Sequence, residues 1–481
     1  MPRDTATRKT DLVVIGAGPG GYTAAFAAAD RSMKVILVDS GEQPGGVCLN
    51  RGCIPSKTLL HIARLISETR EAAGWGISFQ PPEIDLAAVR QWKNEVIGKN
   101  AAGIRQLAKA RGVEIVRARA RFEDGQTLTL AGAEDDKQDV GRLRFDKAIV
   151  AVGSRPAVIP ALDADSPQVW DSTAALELPD VPGSLLVVGG GYIGLEMGTI
   201  YAALGSQVTL VEMTDGLLPG VDRDLVRILQ NRLRKETFKD IPLNTKVAQI
   251  GETDGAISVT FEKADAKSRF DQRFDRVLVA IGRTPNSDGI GLQNTQVRMA
   301  ARGFAEADER QRTAEGHIYA IGDVAGEPML AHKASRQAKV AVEAITGGSA
   351  TFDARAIPAV VFTDPEIAWA GLTETQAAER GIEVQVAKFP WGASGRAAAI
   401  GRSDGLTKII VSPESKCILG VGIVGVGAGE LIAEGALAIE TGASARDVAR
   451  SIHPHPTLSE TVGEAAELAL GTATHVFRPP R

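Results

Sequence analysis

The feature that most constrains the fold of this chain is a glycine pattern that occurs twice, each time between an apolar strand and a helix. The first copy, GAGPGG at 16–21, follows a strand predicted over 11–15 and precedes an Ala-rich helix predicted over 22–29. The second, GGGYIG at 189–194, follows a strand predicted over 185–188 and precedes a helix that ends near residue 204. Glycines at this spacing permit a tight turn and close approach of the backbone to a ligand. The chain is therefore predicted to contain two strand–helix–strand units of the same kind.

Each glycine pattern is followed by an acidic residue at the end of the next predicted strand. Asp39 lies 23 residues after Gly16, and Glu212 lies 23 residues after Gly189. In this arrangement the acid hydrogen-bonds a ribose hydroxyl and the helix N-terminus faces a pyrophosphate. A single G-x-G-x-x-G is weak evidence, because glycines can serve tight packing alone. Two copies with the same spacing predict two dinucleotide sites.

A second repeat predicts how the two units are connected. The segment KAIVAVGSRP at 147–156 is similar to RVLVAIGRTP at 276–285, and each is an apolar strand that ends in a glycine turn and a Pro. We interpret the two segments as crossings between a first nucleotide-binding domain and a second one inserted into it. The polar stretch 132–144 is predicted to be a hairpin loop.

The last part of the chain has a different pattern of predicted strands and helices. After residue 352, strands are predicted at 360–362, 383–389, 406–411 and 418–424, with helices between and after them, which is typical of an α+β domain. The predicted domains are 1–152 (first nucleotide), 153–281 (second nucleotide), 282–348 (completing the first) and 349–481 (α+β).

Composition excludes several classes of protein. No apolar run approaches the roughly 18 residues of a membrane helix, and the polar start lacks the apolar core of a secretory signal. The net charge of −5 argues against a nucleic-acid partner. Only three cysteines occur in 481 residues, which is typical of a reducing compartment, so a cytoplasmic location is expected.

Two of the three cysteines, Cys48 and Cys53, lie five positions apart in the segment GGVCLNRGCIPSK at 45–57. A disulfide requires Cα atoms about 4.4–6.8 Å apart, whereas residues five apart in a straight helix lie about 8.7 Å apart. The pair can bridge only if the chain bends between them, which Gly52 permits. A ring this short adds little stability and is strained, so it suits reversible opening better than a structural role. The pair is predicted to be catalytic.

These motifs together resemble the pyridine nucleotide–disulfide oxidoreductase family, from residue 11 to about 468. The most specific parts are the cysteine segment, residues 189–196, YAIGD and MLAH within 319–332, and HPHPTLSE at 453–460. Within the family, the chain is most similar to the flavoproteins that oxidise dihydrolipoamide. The resemblance implies an α/β fold with two Rossmann-like nucleotide-binding domains, the second inserted in the first, and a C-terminal α+β dimerisation domain.

The resemblance implies that the first nucleotide is FAD. The glycine loop would hold its pyrophosphate, and Asp39 its adenosine ribose, although the family more often has Glu there. Asp323 would bond the ribityl or phosphate side of the flavin. The implied FAD-binding residues are Gly16, Gly18, Gly21, Asp39, Lys57, Gly153, Asp323 and Ala331.

The resemblance implies NAD as the second nucleotide. Glu212 would accept from the ribose hydroxyls and repel a 2′-phosphate, and the next basic residue is Arg223, eleven positions on. NADP-using relatives such as glutathione reductase place arginines in that interval, although Tyr192 occupies the position of that enzyme's tyrosine lid. Because phosphate recognition needs charge, NAD is predicted. The implied NAD-binding residues are Gly189, Gly191, Gly194, Glu212 and Gly282.

The resemblance also assigns roles to the thiols and their neighbours. Cys53 begins a predicted helix, whose dipole favours a thiolate, and would lie against the flavin. Cys48 would be the outer sulfur that exchanges with substrate. Lys57 would lie near the flavin and pair with Glu196 of the second domain. Taken singly, a helix lysine and a helix acid are ordinary solvated residues, so this pair depends on the match of both to the family motif.

His455 is the predicted catalytic base. Pro454 and Pro456 restrict its backbone, and Glu460 is placed to bond its second ring nitrogen. A lone histidine is more often structural, which is the expectation for His453, but the segment HPTLSE matches the family. In the family this segment reaches the cysteines of the other subunit, so the resemblance implies a homodimer.

The resemblance implies partners as well. These are lipoyl domains of acyltransferase or glycine-cleavage carrier proteins and a peripheral subunit-binding domain of a multienzyme complex, with no nucleic acid, membrane or metal. Two alternatives remain open. One is a related NAD(P)H-dependent disulfide reductase acting on a soluble thiol. The other is a non-catalytic, flavin-loaded structural subunit, which predicts a broken Cys48, Cys53 or His455, and all three are intact.

Overall fold

A computed structural model of the protein describes residues 7–132, 139–162, 166–253, 255–264 and 268–477. Strands and helices are mixed along the whole described chain. The first part contains β1 (Arg8–Ile15), α1 (Pro19–Ala29), β2 (Val35–Asp39), α2 (Gly46–Arg51), α3 (Cys53–Glu71), α4 (Leu86–Ala110), β3 (Glu114–Arg117), β4 (Arg119–Phe122), β5 (Thr127–Ala131) and β6 (Asp139–Val150).

The middle part is richer in strands. It contains β7 (Ser154–Pro156), β8 (Val169–Trp170), α5 (Ser172–Leu176), β9 (Ser184–Val188), α6 (Tyr192–Leu204), β10 (Gln207–Val211), α7 (Arg223–Arg232), β11 (Thr245–Thr253), β12 (Ala256–Lys263), β13 (Arg269–Phe274), β14 (Arg276–Val279) and β15 (Arg283–Pro285).

The last part contains both strands and helices, and ends in three consecutive helices. It contains β16 (Ile318–Ala320), α8 (Ala331–Ile345), β17 (Ala359–Val361), β18 (Glu366–Gly371), α9 (Glu374–Glu379), β19 (Gln385–Pro390), α10 (Gly395–Ala399), β20 (Leu406–Val411), β21 (Ile418–Gly425), α11 (Ala428–Thr441), α12 (Ala445–Arg450) and α13 (Glu460–Leu470). A single 3₁₀ turn, Gly322–Ala325, lies between β16 and α8.

The first sheet has seven strands and a parallel centre. Its order is β3-β2-β1-β6-β5-β4, and β16 pairs in parallel with the end of β6. β1 is buried on both faces, with Leu12, Val13 and Val14 all fully covered, as expected of a central parallel strand. Since β16 comes from the segment after the second unit, the chain returns to the first sheet.

The second unit has a four-stranded parallel sheet, β10-β9-β14-β8, and a three-stranded antiparallel sheet, β11-β12-β13. β7 and β15 pair with each other in antiparallel fashion, so the two crossing segments lie side by side. Both crossings contain a glycine in the left-handed region, with φ +72° at Gly153 and +125° at Gly282. The predicted strand–glycine turn–proline repeat is confirmed at both places.

The last unit is a five-stranded antiparallel sheet, β17-β18-β21-β20-β19, whose core packs against α11 and α13. The four predicted strands are confirmed to within a few residues, but β18 was missed. Its sequence, EIAWAG, is rich in Ala and Gly, which have low strand propensity. It forms a strand because β17 and β21 pair with its two edges.

The prediction of a hairpin at 132–144 is right about the hairpin and wrong about the length of its loop. β5 and β6 pair in antiparallel register, and β6 already begins at Asp139; residues 133–138 lie outside the described residues. Exposed Arg142 and Arg144 alternate with buried Leu143 and Phe145. One solvated face makes this stretch look polar in sequence.

A fully buried lysine joins the second unit to the last one. The Nζ of Lys408, on β20, lies 2.7 Å from carboxylate oxygens of Asp222, Asp224 and Glu374. The three carboxylates are close enough together to ligate a metal ion, but the ammonium group of Lys408 already bonds all three and that of Lys388 bonds Asp224 and Glu374. Within the described residues, no helix is both long and apolar enough to cross a membrane.

Candidate active site

The two cysteines lie on two helices separated by a break at Gly52. Cys48 is inside α2 and Cys53 is the first residue of α3, while Gly52 between them has φ −154° and ψ −108°. A Cβ at Gly52 would lie 3.0 Å from the carbonyl oxygen of Val47, so a larger residue would crowd the break. The bend that the cysteine spacing requires is confirmed.

The two cysteine thiols have different pKa values. Both cysteines are free thiols in this structure. A hydrogen bond from the Cys48 thiol lowers the pKa of Cys53 to about 7, with burial opposing and the Lys57 ammonium adding to the effect. The same hydrogen bond and burial raise the pKa of Cys48. The negative charge is therefore held on Cys53 and the proton on Cys48.

The Lys57–Glu196 pair is formed. The Nζ of Lys57 donates to Oε2 of Glu196 at 2.7 Å, and Glu196 is only 3 % exposed. Ser56 donates to the same oxygen at 3.0 Å, and the backbone N–H of Phe362 donates to Oε1 at 3.0 Å. The ring of Phe362 lies under the Lys57 ammonium, 4.7 Å from Nζ to centroid. One carboxylate thus connects the first, second and last units.

One cavity brings most of the predicted residues together. Cys48 and Cys53 lie on its wall, and Tyr192 and Glu196 come from the second unit. Tyr192 is 41 % exposed, but desolvation against the cavity wall raises its pKa to about 12, so this residue is an uncharged phenol. The predicted FAD residues that line the cavity are Gly16, Gly18, Asp39, Lys57, Gly153, Asp323 and Ala331.

The first glycine loop fits a pyrophosphate. At Gly16, φ is +102° and a Cβ would lie 2.3 Å from the oxygen of Ala151; at Gly21 a Cβ would lie 1.8 Å from the oxygen of Gly16. These two glycines are required by the turn and by the packing of α1. Around a Cβ at Gly18, however, only Gly46 comes within 4 Å, at 3.9 Å. The backbone at Gly18 therefore faces the cavity, open to close approach by a ligand.

The second glycine loop also combines two crowded glycines with one open glycine. Gly189 has φ +111°, and a Cβ there would lie 2.5 Å from the oxygen of Ala280; at Gly194 a Cβ would lie 2.1 Å from the oxygen of Gly189. Nothing lies within 4 Å of a Cβ at Gly191. The glycines of this loop and Glu212 do not line the cavity of the cysteines, whereas Tyr192 and Ile193 of the same loop do. The open backbone at Gly191 leaves room for a second nucleotide beside this loop.

Both predicted ribose acids bind their own glycine loops. Asp39 Oδ2 accepts from the N–H of Ala17 at 2.5 Å, and Glu212 Oε2 accepts from the N–H of Gly190 at 2.7 Å. This second role of the acids was not foreseen from the sequence. A carboxylate has about four lone-pair sites, so each acid can hold its loop and still accept from a ribose hydroxyl.

Asp323 belongs to a network that the sequence did not reveal. Its Oδ2 accepts from the hydroxyl of Ser154 at 2.5 Å, and Arg283 donates to Oγ and to the carbonyl oxygen of Ser154 at 2.8 and 2.7 Å. Ser154 and Arg283 directly follow Gly153 and Gly282, the turn glycines of the crossing repeat. The crossing repeat was therefore the sequence feature from which Ser154 and Arg283 could have been predicted as site residues.

His455 forms its predicted pair but not in the cavity of its own chain. Its Nδ1 lies 2.8 Å from Oε1 of Glu460, whose Oε2 accepts from the N–H of Thr457 at 2.8 Å. Burial alone would raise the pKa of Glu460, but these two contacts lower it. The imidazole is 80 % exposed and does not line the cysteine cavity. Nε2 is therefore available to another molecule.

Two family models match the chain. Residues 10–338 match the model described as pyridine nucleotide-disulphide oxidoreductase, and residues 357–466 match that of the dimerisation domain of the same family. The two matches together cover most of the chain. The second match supports a homodimer.

Curated proteins and solved structures match over nearly the whole length. The dihydrolipoyl dehydrogenase of Haemophilus influenzae is 47% identical over 97% of this chain and 96% of its own, and that of Haloferax volcanii is 45% identical over 97% and 98%. The crystal structure of LpdA from Mycobacterium tuberculosis matches with a TM-score of 0.87 at 26% identity, over 95% of this chain and 99% of its own. The HOCl-induced flavoprotein disulfide reductase RclA from Escherichia coli matches with a TM-score of 0.83 at 28% identity, over 95% and 99%.

Proposed function

Because the chain belongs to the pyridine nucleotide-disulphide oxidoreductase family, we propose that it acts as a dihydrolipoyl dehydrogenase, oxidising protein-bound dihydrolipoamide with NAD⁺ through Cys48 and Cys53. The observation that carries the proposal is the unequal thiol pair on the wall of a cavity that also contains an open glycine loop. The full-length identity to dihydrolipoyl dehydrogenases selects this activity within the family.

Enzymes of this kind use FAD and NAD(H). Bound FAD supplies a two-electron acceptor between the dithiol and the nicotinamide. In this chain the open backbone at Gly18 would receive the FAD pyrophosphate, with Gly16 and Gly21 shaping the loop. Asp39 would receive the ribose, while Lys57, Gly153, Asp323 and Ala331 would complete the FAD site. NAD would bind at Gly189, Gly191, Gly194, Glu212 and Gly282.

The thiol chemistry begins when His455 removes a proton from a substrate thiol. Since Nδ1 of His455 faces the Glu460 carboxylate, its proton lies on Nδ1 and Nε2 is the free acceptor. His455 takes a proton from one substrate thiol at Nε2, and the resulting thiolate attacks Sγ of Cys48 in the oxidised pair. The Cys48–Cys53 bond breaks, and Cys53 leaves as a thiolate that the Lys57 ammonium stabilises.

The second half closes the substrate ring. The remaining substrate thiol attacks the mixed disulfide, which releases lipoamide and returns Cys48 as a thiol. Two substrate thiols have then become one disulfide, and one protein disulfide has become the Cys48 thiol and the Cys53 thiolate. The proton taken by His455 balances the negative charge on Cys53.

The position of His455 supports a dimeric active site. Its exposed imidazole lies outside the cavity of its own chain, so the base for one subunit would come from the other. Lipoyl domains and a peripheral subunit-binding domain are the proposed partners within a 2-oxoacid dehydrogenase or glycine-cleavage complex. The proposed location is the cytoplasm, and the proposed domains are 1–152, 153–281, 282–348 and 349–481.

The decisive experiment compares substrates on the purified chain loaded with FAD. Dihydrolipoamide with NAD⁺ should give the highest kcat/KM, whereas NADPH with oxidised glutathione should give little turnover. The likeness to RclA motivates a soluble disulfide as the competing substrate class. Higher kcat/KM for a soluble thiol or disulfide than for dihydrolipoamide would replace the proposal by that alternative.

A further inference from the structure

Helix α8 carries two polar side chains that are almost fully buried and have no place in the thiol chemistry. Lys333 is 3 % exposed and Gln337 is 6 % exposed. They are four residues apart, so they lie on the same face of the helix, one turn from each other. Burying an ammonium group and an amide is costly unless their hydrogen bonds are made.

Both side chains bind the turn that carries Asp323. The N–H of Gly322 donates to Oε1 of Gln337 at 2.8 Å. The Nζ of Lys333 donates to the carbonyl oxygen of Gly322 at 3.3 Å and to the carbonyl oxygen of Gly326. Both glycines have positive φ, +76° and +126°. The two side chains thus supply hydrogen-bond partners for the ends of the turn on either side of Asp323.

The same helix reaches the glycine loop of the cavity. A Cβ at Gly20, in the first turn of α1, would lie 3.1 Å from Cβ of Ala334, so α8 and α1 are in close contact there. Ala331 and Ala334 line the cavity beside Asp323. α8 therefore contacts both the Asp323 turn and the start of α1, in addition to the connection that β16, β6 and β1 make between them.

A lysine is a costly residue for this position. Burial lowers the pKa of Lys333 to about 8, with Asp323 and Glu327 opposing the shift. A methionine of similar length would fill the same space without that cost, so what lysine contributes is its two hydrogen bonds to the turn.

We propose that Lys333 and Gln337 are positioning residues for FAD, which clamp the Gly322–Gly326 turn and thereby hold Asp323 at the distance from the glycine loop that the cofactor requires. The inference rests on the proposed function to the extent that FAD binds in this cavity. It goes beyond that function because neither side chain lines the cavity or touches the thiols.

The test uses the full chain stripped of FAD and four single variants. Lys333→Met and Gln337→Met each remove hydrogen bonds to the turn while keeping side-chain volume. Lys339→Met is the control, since Lys339 lies on the exposed face of the same helix. FAD affinity is measured by titrating the apoprotein with FAD and following flavin fluorescence. Hydrogen exchange of the peptide spanning 318–326 is measured on the apoprotein.

We expect the FAD Kd to rise about tenfold, or about 1.4 kcal/mol, in each of the first two variants and to be unchanged in the control. The turn amides should exchange faster in those variants, and FAD affinity is compared per folded molecule because loss of the buried hydrogen bonds also lowers the apoprotein Tm. Gln337→Glu keeps an acceptor for the N–H of Gly322 and should restore most of the affinity. A merely structural role would lower Tm but leave FAD affinity per folded molecule unchanged.

Wild-type FAD affinity and wild-type exchange in both methionine variants would overturn the inference while leaving the proposed function intact. Failure of the wild-type chain to bind FAD would overturn both together. If Lys333→Met does not fold, Gln337→Met and its Glu counterpart decide the question, since they leave the lysine in place.

Discussion

Lys57 and Glu196 form an ion pair at 2.7 Å although 139 residues separate them. Glu196 is buried and accepts two further hydrogen bonds, from Ser56 and from the backbone of Phe362. The carboxylate is therefore held in place independently of Lys57, and it in turn holds the ammonium beside the thiols. The pair places one positive and one negative charge near Cys53, with opposite effects on its pKa.

The first prediction uses these opposite effects. Lys57→Met should raise the pKa of Cys53 from about 7, because it removes a positive charge, and Glu196→Gln should lower it, because it removes a negative one. The measurement is the rate of Cys53 alkylation by iodoacetamide against pH in the reduced protein. Lys99→Met, at an exposed position on α4, should change nothing. A shift in the same direction for both variants would contradict the assignment.

The second prediction separates the two thiols. Since the Cys48 thiol is the hydrogen-bond donor to Cys53, Cys48→Ala should raise the pKa of Cys53, whereas Cys48→Ser keeps a donor and should change it less. Both variants should lose lipoamide turnover, because the attacked sulfur is gone. Cys417→Ser is the matched control and should retain full turnover, since Cys417 directly precedes β21 in the last unit and does not line the cysteine cavity. Retained lipoamide turnover in Cys48→Ser would contradict the proposed thiol–disulfide exchange at Cys48.

The third prediction concerns the base and the dimer. General-base help is worth about 10²–10⁴-fold, so His455→Gln should lower lipoamide turnover at least about 10²-fold, and Glu460→Gln by less, since it only orients the imidazole. NADH-driven reduction of an artificial acceptor should survive in both. A heterodimer of His455→Gln with Cys48→Ser has both lesions in one active site and should regain about half of wild-type activity.

That mixing experiment has a clear opposite outcome. If heterodimers are shown to form and activity stays at the level of the two parent homodimers, the base acts within its own chain or is not His455.

The fourth prediction concerns the second nucleotide. Glu212 is at the end of β10 and no arginine follows it before Arg223, whose guanidinium is already bonded to the carbonyl oxygens of Leu217, Leu218 and Val221. NAD⁺ should therefore be preferred strongly over NADP⁺ in kcat/KM. Glu212→Ala with arginines introduced after it should narrow or reverse the ratio. Equal kcat/KM for the two cofactors in the wild type would refute the assignment.

The fifth prediction concerns stability. Lys408→Met leaves three carboxylates close together without their buried counter-charge, and should destabilise the protein by about 3–5 kcal/mol in denaturant unfolding. Lys388→Met is the control, because Lys388 bonds two of the same carboxylates from a partly exposed position and should cost about 1 kcal/mol or less.

The unfolding free energy that Lys408→Met removes should depend on pH. Burial alone would raise the pKa values of Asp224 and Glu374, but hydrogen bonds from Lys388 and Lys408 lower both below their ordinary values of 3.8 and 4.5. Groups with lowered folded-state pKa stabilise the fold above their ordinary values and lose that contribution as pH falls. The difference between wild type and Lys408→Met should therefore be full at neutral pH and shrink below about pH 4. A difference that does not change with pH would contradict this origin.

The local elements of this protein were readable from sequence because their causes are local. A glycine with positive φ between a buried strand and a helix, as at Gly16 and Gly189, is a property of a few adjacent residues. The bend at Gly52 followed from the distance two sulfurs must span. β18 was missed because the cause of its structure is not local: it pairs along one edge with β21, whose residues are distant in sequence.

By itself, the sequence determined the two glycine loops with the strand and helix on either side of each, the acids that follow them, and the cysteine pair, because backbone geometry and side-chain periodicity are set over a few residues. Only the tertiary structure decided that Phe362 completes the bonds of Glu196, that Ser154 and Arg283 hold Asp323, and that Lys333 and Gln337 clamp its turn. Those contacts join segments that meet through the packing of helices and sheets, and residue spacing along the chain has no direct relation to such distances.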